Sequence, residues 1–151
     1  MLKVNSNKTR FLLDLNALIF LAEPDSPHYE TMLKWFDSSG KDNWGVCPLT
    51  EAGFVRVTSN PVYRGVARTV EQATAILADF AAHPGYRYWS ITEKWSVLTA
   101  PFSSRLSGHR QVTDAFLLGL AVKEKGVLVT FDKAIKHLAG AEYRWNLLVL
   151  D

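Results

Sequence analysis

Three short runs in this chain, FLL at 11–13, VLV at 127–129 and LLVL at 147–150, are apolar without interruption. A strand with one face in water alternates apolar and polar residues. An unbroken run suits a strand buried on both faces, the condition of a parallel sheet covered by helices on either side. The segments between the runs supply the helices. Tyr29, Met32, Leu33 and Phe36 share one helical face, and Val70, Ala73, Ile76 or Leu77, and Phe80 make a second stripe that Pro84-Gly85 stops. The pattern predicts strands over 10–13, 44–47, 86–89, 127–131 and 147–150. It predicts helices over 16–21, capped by Asn16, and over 28–38, 50–58, 69–82, 92–98, 113–123 and 133–138, with a loop over 101–111. Strands alternating with helices define an α/β/α sandwich around a mainly parallel sheet of about five strands. With 151 residues, no repeat and no linker, residues 1–151 are expected to form a single domain.

The composition bounds the function classes. The polar start MLKVNSNKTR is not a secretory signal, and no stretch approaches the roughly 20 apolar residues of a membrane helix, so a cytoplasmic protein with no membrane partner is expected. A single cysteine, Cys47, excludes an intrachain disulfide and a multi-cysteine metal site, and its place in a strand-like run reads as a small buried apolar residue. The formal net charge of +2 is too mild to argue nucleic-acid binding unaided.

Four acids stand apart from this pattern. Asp14 follows an apolar run in FLLDLNAL, and Asp132 follows another in VLVTFDKAI. Glu51 heads a helical face with Phe54 and Val55, and Asp114 heads one with Leu117, Leu118 and Ala121. A carboxylate on an apolar stripe is costly unless something compensates it. Each has a purely structural reading: Asp132 as a helix cap, Glu51 and Asp114 as first-turn acids behind Thr50 and Thr113 caps. At matching positions in one alternating chain, the four together favour function. Asp25, Asp37, Asp42, Glu71, Glu93, Glu124 and Glu142 sit among polar neighbours and read as solvated surface.

Clustered carboxylates repel one another and call for a cation. An all-oxygen set suits Mg²⁺ or Mn²⁺, and the scattered His28, His83, His109 and His137 offer no zinc spacing. Such a site leaves room for phosphate oxygens and fits phosphodiester chemistry with one ion or two. Other acidic α/β sites fit poorly. Asp14-Leu15-Asn16 places an amide where a D-x-D phosphatase needs its general acid, and no acid precedes Asp14 as a phosphoacceptor domain requires. Neither phosphate-binding glycine loop nor the G-x-S-x-G elbow is present.

The segments FLLDLNALIFLA, CPLTEAGFVRVTSNP, VTDAFLLGLA and LVTFDKAI closely resemble a PIN-domain ribonuclease of the VapC toxin type. The resemblance runs from about Arg10 to Leu150. It implies that Asp14, Glu51, Asp114 and Asp132 bind Mg²⁺ or Mn²⁺ and cleave RNA, with Asn16 and Thr130 as polar accessories. It further implies a homodimer, a cognate VapB-type antitoxin that blocks the site, and structured RNA targets such as tRNA or rRNA. A PIN module that binds RNA or protein without turnover, and a housekeeping RNA-processing nuclease, are the alternatives.

RNA cleavage requires phosphate contacts from Arg and Lys. The loop SSRLSGHRQ feeds into the Asp114 helix and brings Arg105, His109 and Arg110 toward it, while Arg56, Arg64 and Arg68 follow the Glu51 segment. Arg64, Arg68, Arg105 and Arg110 are the candidate RNA contacts, each also readable as a solvated surface side chain. The five tryptophans read as core, dimer or antitoxin contacts rather than base-stacking platforms.

Overall fold

The computed structural model describes residues 9–63, 65 and 67–151. Its sheet comprises β1 (Phe11–Leu13), β2 (Trp44–Gly45), β3 (Val127–Thr130) and β4 (Leu147–Val149), all parallel, in the order β2-β1-β3-β4. The register sets Leu12 beside Leu128 and Leu13 beside Val129. Successive side chains on a strand point to opposite faces. Leu12 and Leu128 therefore enter one core, while Leu13 and Val129 enter the other, and all four are fully buried. This is the physical reason for the unbroken apolar runs. Burying each side chain contributes roughly 1.5–3 kcal/mol.

The first core is closed by α5 (Trp95–Thr99), α6 (Val112–Lys123) and α7 (Ile135–Ala139), through Leu98, Leu117, Leu118 and Ile135. Gly119 of α6 lets α5 approach closely, since a Cβ there would stand 2.1 Å from the Leu98 carbonyl oxygen. The second core is closed by α1 (Leu15–Ala22), α2 (Tyr29–Trp35), α3 (Pro48–Thr58) and α4 (Val70–Ala81), through Leu18, Met32, Phe54 and Ala73. Thr69 caps α4 reciprocally: its hydroxyl accepts from the Gln72 amide at 3.0 Å, and its own amide donates to the Gln72 side chain at 2.9 Å.

Four strands form the ladder rather than about five. Segment 86–89 does run parallel to β2, with Arg87 N donating to Trp44 O at 2.7 Å and Trp89 N to Val46 O at 3.1 Å, but it forms a single bridge, Trp44 to Tyr86. The reason is the brevity of β2, two residues long and closed by Pro48 at the first turn of α3. Gly45 allows even this approach, because a Cβ there would meet the Arg87 carbonyl oxygen at 1.8 Å. The helix predicted to 38 ends as α2 at Trp35 and loosens into a π turn over Phe36–Gly40. The loop predicted at 101–111 contains two 3-10 turns, Ala100–Arg105 and His109–Gln111. Trp44 and Trp89 are fully buried and Trp35 nearly so, whereas Trp95 and Trp145 are exposed. Cys47 is buried and unpaired, as its strand-like setting predicts. Among the described residues, no helix is long and apolar enough to cross a membrane.

Candidate active site

The central strands β1 and β3 are neighbours, and their connections lead to opposite sides of the sheet, β1 toward β2 and β3 toward β4. In a parallel sheet this reversal opens a crevice beyond the carboxyl ends of the two strands. Asp14 and Asp132 lie there. Asp14 is 7% exposed and has extended backbone (φ −68°, ψ 162°). It caps α1 itself, with Oδ1 accepting from Leu15 N at 2.7 Å, and so takes the place expected for Asn16. The strand ends at Leu13 and α1 begins at Leu15, which leaves no residue between them except Asp14.

Thr130 organises the crevice. Its hydroxyl donates to Asp14 Oδ2 at 2.7 Å and accepts from Asn16 Nδ2 at 3.2 Å and from Asp132 N at 3.0 Å. One proton and two lone pairs are thereby all engaged. Asn16 Oδ1 accepts from Phe131 N at 3.1 Å, so the amide straps α1 to the end of β3. Asn16 and Thr130 thus orient the acids through hydrogen bonds. Thr130→Val keeps the shape but removes all three bonds, depriving Asp14 Oδ2, Asn16 Nδ2 and the Asp132 backbone amide of this partner. It is expected to lower stability by about 1–3 kcal/mol, read by urea or thermal unfolding.

Asp132 Oδ1 accepts from Ala134 N at 2.9 Å, which closes the turn before α7; the helix N-cap itself is Ala134, not Asp132 as predicted. That bond occupies one oxygen only, and the charge of Asp132 reaches both other aspartates. Asp114, in the first turn of α6, makes no hydrogen bond through its carboxylate among the described residues. Burial, then the charges of Asp14 and Asp132, push its pKa up from 3.8 to about 6. Burial also raises the pKa of Asp14, with Asp132 adding to the rise and the Thr130 and Leu15 hydrogen bonds opposing it. The three aspartates therefore share one electrostatic field.

Glu51 stands to the side of that field. It lies in the first turn of α3 as predicted, and burial alone raises its pKa. Its charge acts on Tyr86, whose pKa is pushed up to about 12 chiefly by burial, and on Tyr88. Neither Thr50 nor Thr113 caps its helix. Cys47 and Gln111 occupy those positions without side-chain hydrogen bonds, because the caps fall three residues before Thr50 and two before Thr113. Thr50 is instead buried against the Cys47 sulfur at 3.6 Å.

Among the described residues, no three His, Cys, Asp or Glu side chains already converge as ligands of one metal ion. The donor chemistry nevertheless fits a hard divalent cation. Burial and the charge of Asp132 raise the proton affinity of both Asp14 and Asp114, Asp14 adds to the rise at Asp114, and Asp114 has no hydrogen-bond donor to offset its charge. Asp14, Asp114 and Asp132 are the carboxylates whose charges meet, and they are the candidates to hold such an ion; Glu51 acts on Tyr86 and Tyr88 instead.

The arginine candidates divide. Arg110 is exposed on the 3-10 turn before α6. Arg105 is structural: its Nη1 donates to the Leu138 carbonyl at 2.8 Å and to that of Ala139 at 3.3 Å, closing the C-terminal end of α7. Arg68 is likewise engaged, with Nη1 3.3 Å from Glu23 Oε1 and Nη2 donating to Ala22 O at 3.2 Å. Arg64 lies outside the described residues. Glu23 itself escaped the sequence reading. It is 5% exposed and also accepts from the Tyr63 hydroxyl at 2.9 Å; its signal was an acid ending the apolar run LNALIFLAE. Glu93, read as solvated, is half-buried and pairs with Lys123.

The fold is a parallel α/β/α sandwich with aspartates at the carboxyl ends of its two central strands, and the profile described as PIN domain matches residues 11–141. Ribonuclease VapC39 of Mycobacterium tuberculosis is 38% identical over 130 residues, covering 86% of this chain and 94% of the relative. Ribonuclease VapC38 of the same organism is 39% identical over 128 residues, covering 85% and 89%. Ribonuclease VapC44, also from that organism, is 40% identical over 129 residues, covering 83% and 88%. The chain belongs to the PIN-domain family and, within it, to the VapC-type ribonucleases. The fold matches the crystal structure of VapBC2 from Rickettsia felis bound to a promoter DNA fragment, with a TM-score of 0.65 at 15% identity over 95% of this chain and all of that one. It also matches DNA-bound VapBC from Salmonella typhimurium, with a TM-score of 0.61 at 14% identity over 93% of this chain and 98% of that one.

Proposed function

We propose that Asp14, Asp114 and Asp132, with Glu51 at their edge, form the catalytic, metal-holding centre of this VapC-type endoribonuclease, which hydrolyses phosphodiester bonds in structured RNA as the toxin of a toxin–antitoxin pair. The observation that carries the proposal is Asp114, a half-buried carboxylate with no hydrogen-bond donor, pushed to about 6 by burial and two neighbouring aspartates. When bound, Mg²⁺ or Mn²⁺ supplies charge neutralisation at the phosphate and acidifies water. The chain's own groups do the positioning. Thr130 and Leu15 hold Asp14 by its two oxygens, Asn16 fixes α1 against β3, and Asp132 is aimed by the hydrogen bond its backbone N–H donates to Thr130 and by its acceptance from Ala134 N. Glu51 completes the set from α3.

A VapB-type antitoxin is the expected partner, supported by relatives of the VapC type and by a fold matched in VapBC assemblies. A homodimer is supported by exposed apolar side chains, of which Trp145 is 78% and Val97 60% accessible. The cytoplasm, where RNA is present, is the proposed location. Arg110 is the proposed RNA contact among the arginines described above.

The test is cleavage of RNA by purified, antitoxin-free protein. Activity is expected to vanish in EDTA and to return with Mg²⁺ or Mn²⁺. Cleavage that continues undiminished in EDTA would overturn the metal mechanism. Tight RNA binding with no product in excess Mn²⁺ would favour a binding module instead.

A further inference from the structure

Beside the acidic centre lies an open cleft of about 540 Å³. Asn16 and Asp132 belong to both the cleft and the centre, so whatever fills the cleft lies next to the proposed reacting phosphate. Three rings, Phe20, His28 and Phe131, form part of its remaining wall, beside Lys133, Leu150 and Asp151. His28 stacks on Phe20 with ring centroids 4.5 Å apart and 35° between planes. Phe131 meets Phe20 edge-on at 4.9 Å and His28 at 5.3 Å. Phe20 and Phe131 are half-buried, while His28 is exposed and its imidazole makes no hydrogen bond among the described residues. A ring held by packing on one side and open on the other is a stacking platform.

The charges around it select what can enter. Asp132 and Asp151 line the cleft and disfavour a phosphate within it. Lys133, 69% exposed and only loosely paired with Asp151 at 3.8 Å, stands at the rim, where a phosphate can be met. A neutral, flat group inside with an anion at the mouth describes one nucleotide. Proteins read single-stranded RNA by splaying bases onto such rings.

We propose that this cleft is a base-binding subsite: the nucleotide flanking the scissile phosphate stacks its base on His28, supported by Phe20 and Phe131, and places its own phosphate at Lys133. The inference rests on the ribonuclease reading of the acidic centre. The lining favours a base over a partner peptide because it holds three rings, Phe20, His28 and Phe131, against one aliphatic side chain, Leu150.

The experiment begins with a pool of randomised RNA oligonucleotides cleaved by the full chain, with new ends mapped by sequencing. The best substrate is then remade with an abasic residue on either side of the cut. One abasic position is expected to lower wild-type kcat/KM about tenfold, within the roughly 5- to 150-fold range that one stacked base contributes. His28→Ala should lose a similar factor on the intact substrate, through KM, and no more on the abasic one. His28→Tyr should retain the wild-type value. Lys133→Gln should flatten the salt dependence. The stabilisation of His28→Ala by Mg²⁺ on heating should match wild type, which separates the subsite from metal binding and folding. Additive losses in His28→Ala and the abasic substrate would overturn the subsite, as would unchanged RNA kinetics with weakened binding of an antitoxin-derived peptide. Absence of RNA cleavage by wild type would overturn the reading of the acidic centre as well.

Discussion

Asp114→Asn is expected to reduce RNA cleavage by about a thousandfold or more while making the metal-free protein more stable at neutral pH. The loss follows if Asp114 helps hold the charge that neutralises the phosphate, since single electrostatic groups of this kind are worth about a hundred- to a thousandfold and the metal site amplifies them. The gain in stability follows from linkage. The folded pKa of about 6 lies above the ordinary 3.8, so the folded chain binds this proton more tightly than the unfolded one. Its contribution to stability is fully present below about pH 4 and is lost as pH rises through about 6. At pH 7.5 in chelator the ionised Asp114 is therefore a liability. Allowing for the solvent screening of a half-buried group, that liability is about 1–2 kcal/mol. Thermal unfolding in EDTA should show Asp114→Asn melting a few degrees above wild type at pH 7.5, with the gap narrowing at pH 4.5. Adding Mg²⁺ should stabilise wild type and leave the variant unmoved, reversing the order. Equal melting temperatures at both pH values, with and without metal, would remove Asp114 from the proposed centre.

The sheet was legible because two-sided burial leaves a compositional mark: FLL, VLV and LLVL do not suit half-solvated strands, and each is, contains or lies within a parallel strand. The segment at 86–89, Tyr-Arg-Tyr-Trp, lacks that unbroken mark and forms only a bridge, because strand pairing also depends on the partner and β2 offers two residues. Capping was legible in kind and misplaced by position. Asp14, Asn16, Thr50 and Thr113 are all competent caps, and which one acts is decided by where the chain leaves the sheet or the preceding turn, which the sequence does not state.

The acidic centre was legible for a different reason. An acid heading an apolar stripe is an energetic anomaly visible in one dimension, and Asp14, Asp114 and Asp132 meet in one electrostatic field. Glu51 shows the limit of the argument, since an apolar stripe places a helix face but not the direction of a first-turn side chain. The same limit applies to the arginines. Whether Arg68 and Arg105 face solvent depends on Glu23 and on the end of α7, which lie 45 and 33–34 residues away in sequence.

Arg68→Ala is therefore expected to act on stability and not on RNA. Its guanidinium and the Glu23 carboxylate are 10% and 7% exposed, 3.3 Å apart, and joined by the Tyr63 hydroxyl, whose pKa burial and the bond to Glu23 push up to about 12. The cluster ties the chain that leaves α3 to the end of α1, with the Arg68 amide donating to Thr58 O at 2.9 Å on the same segment. Removing one member of a buried pair strands the other charge away from water, which costs about 3–5 kcal/mol. In a chain of this size such a loss lowers the melting temperature by roughly 6–20 °C. Glu23→Gln with Arg68 intact should also destabilise, and the Glu23→Leu/Arg68→Met double variant should recover most of the loss, because two apolar groups leave no charge to desolvate. At a temperature where each variant remains folded, RNA cleavage per folded molecule should equal wild type. An Arg68→Ala protein with wild-type stability and a raised KM for RNA would instead place this arginine in contact with the substrate.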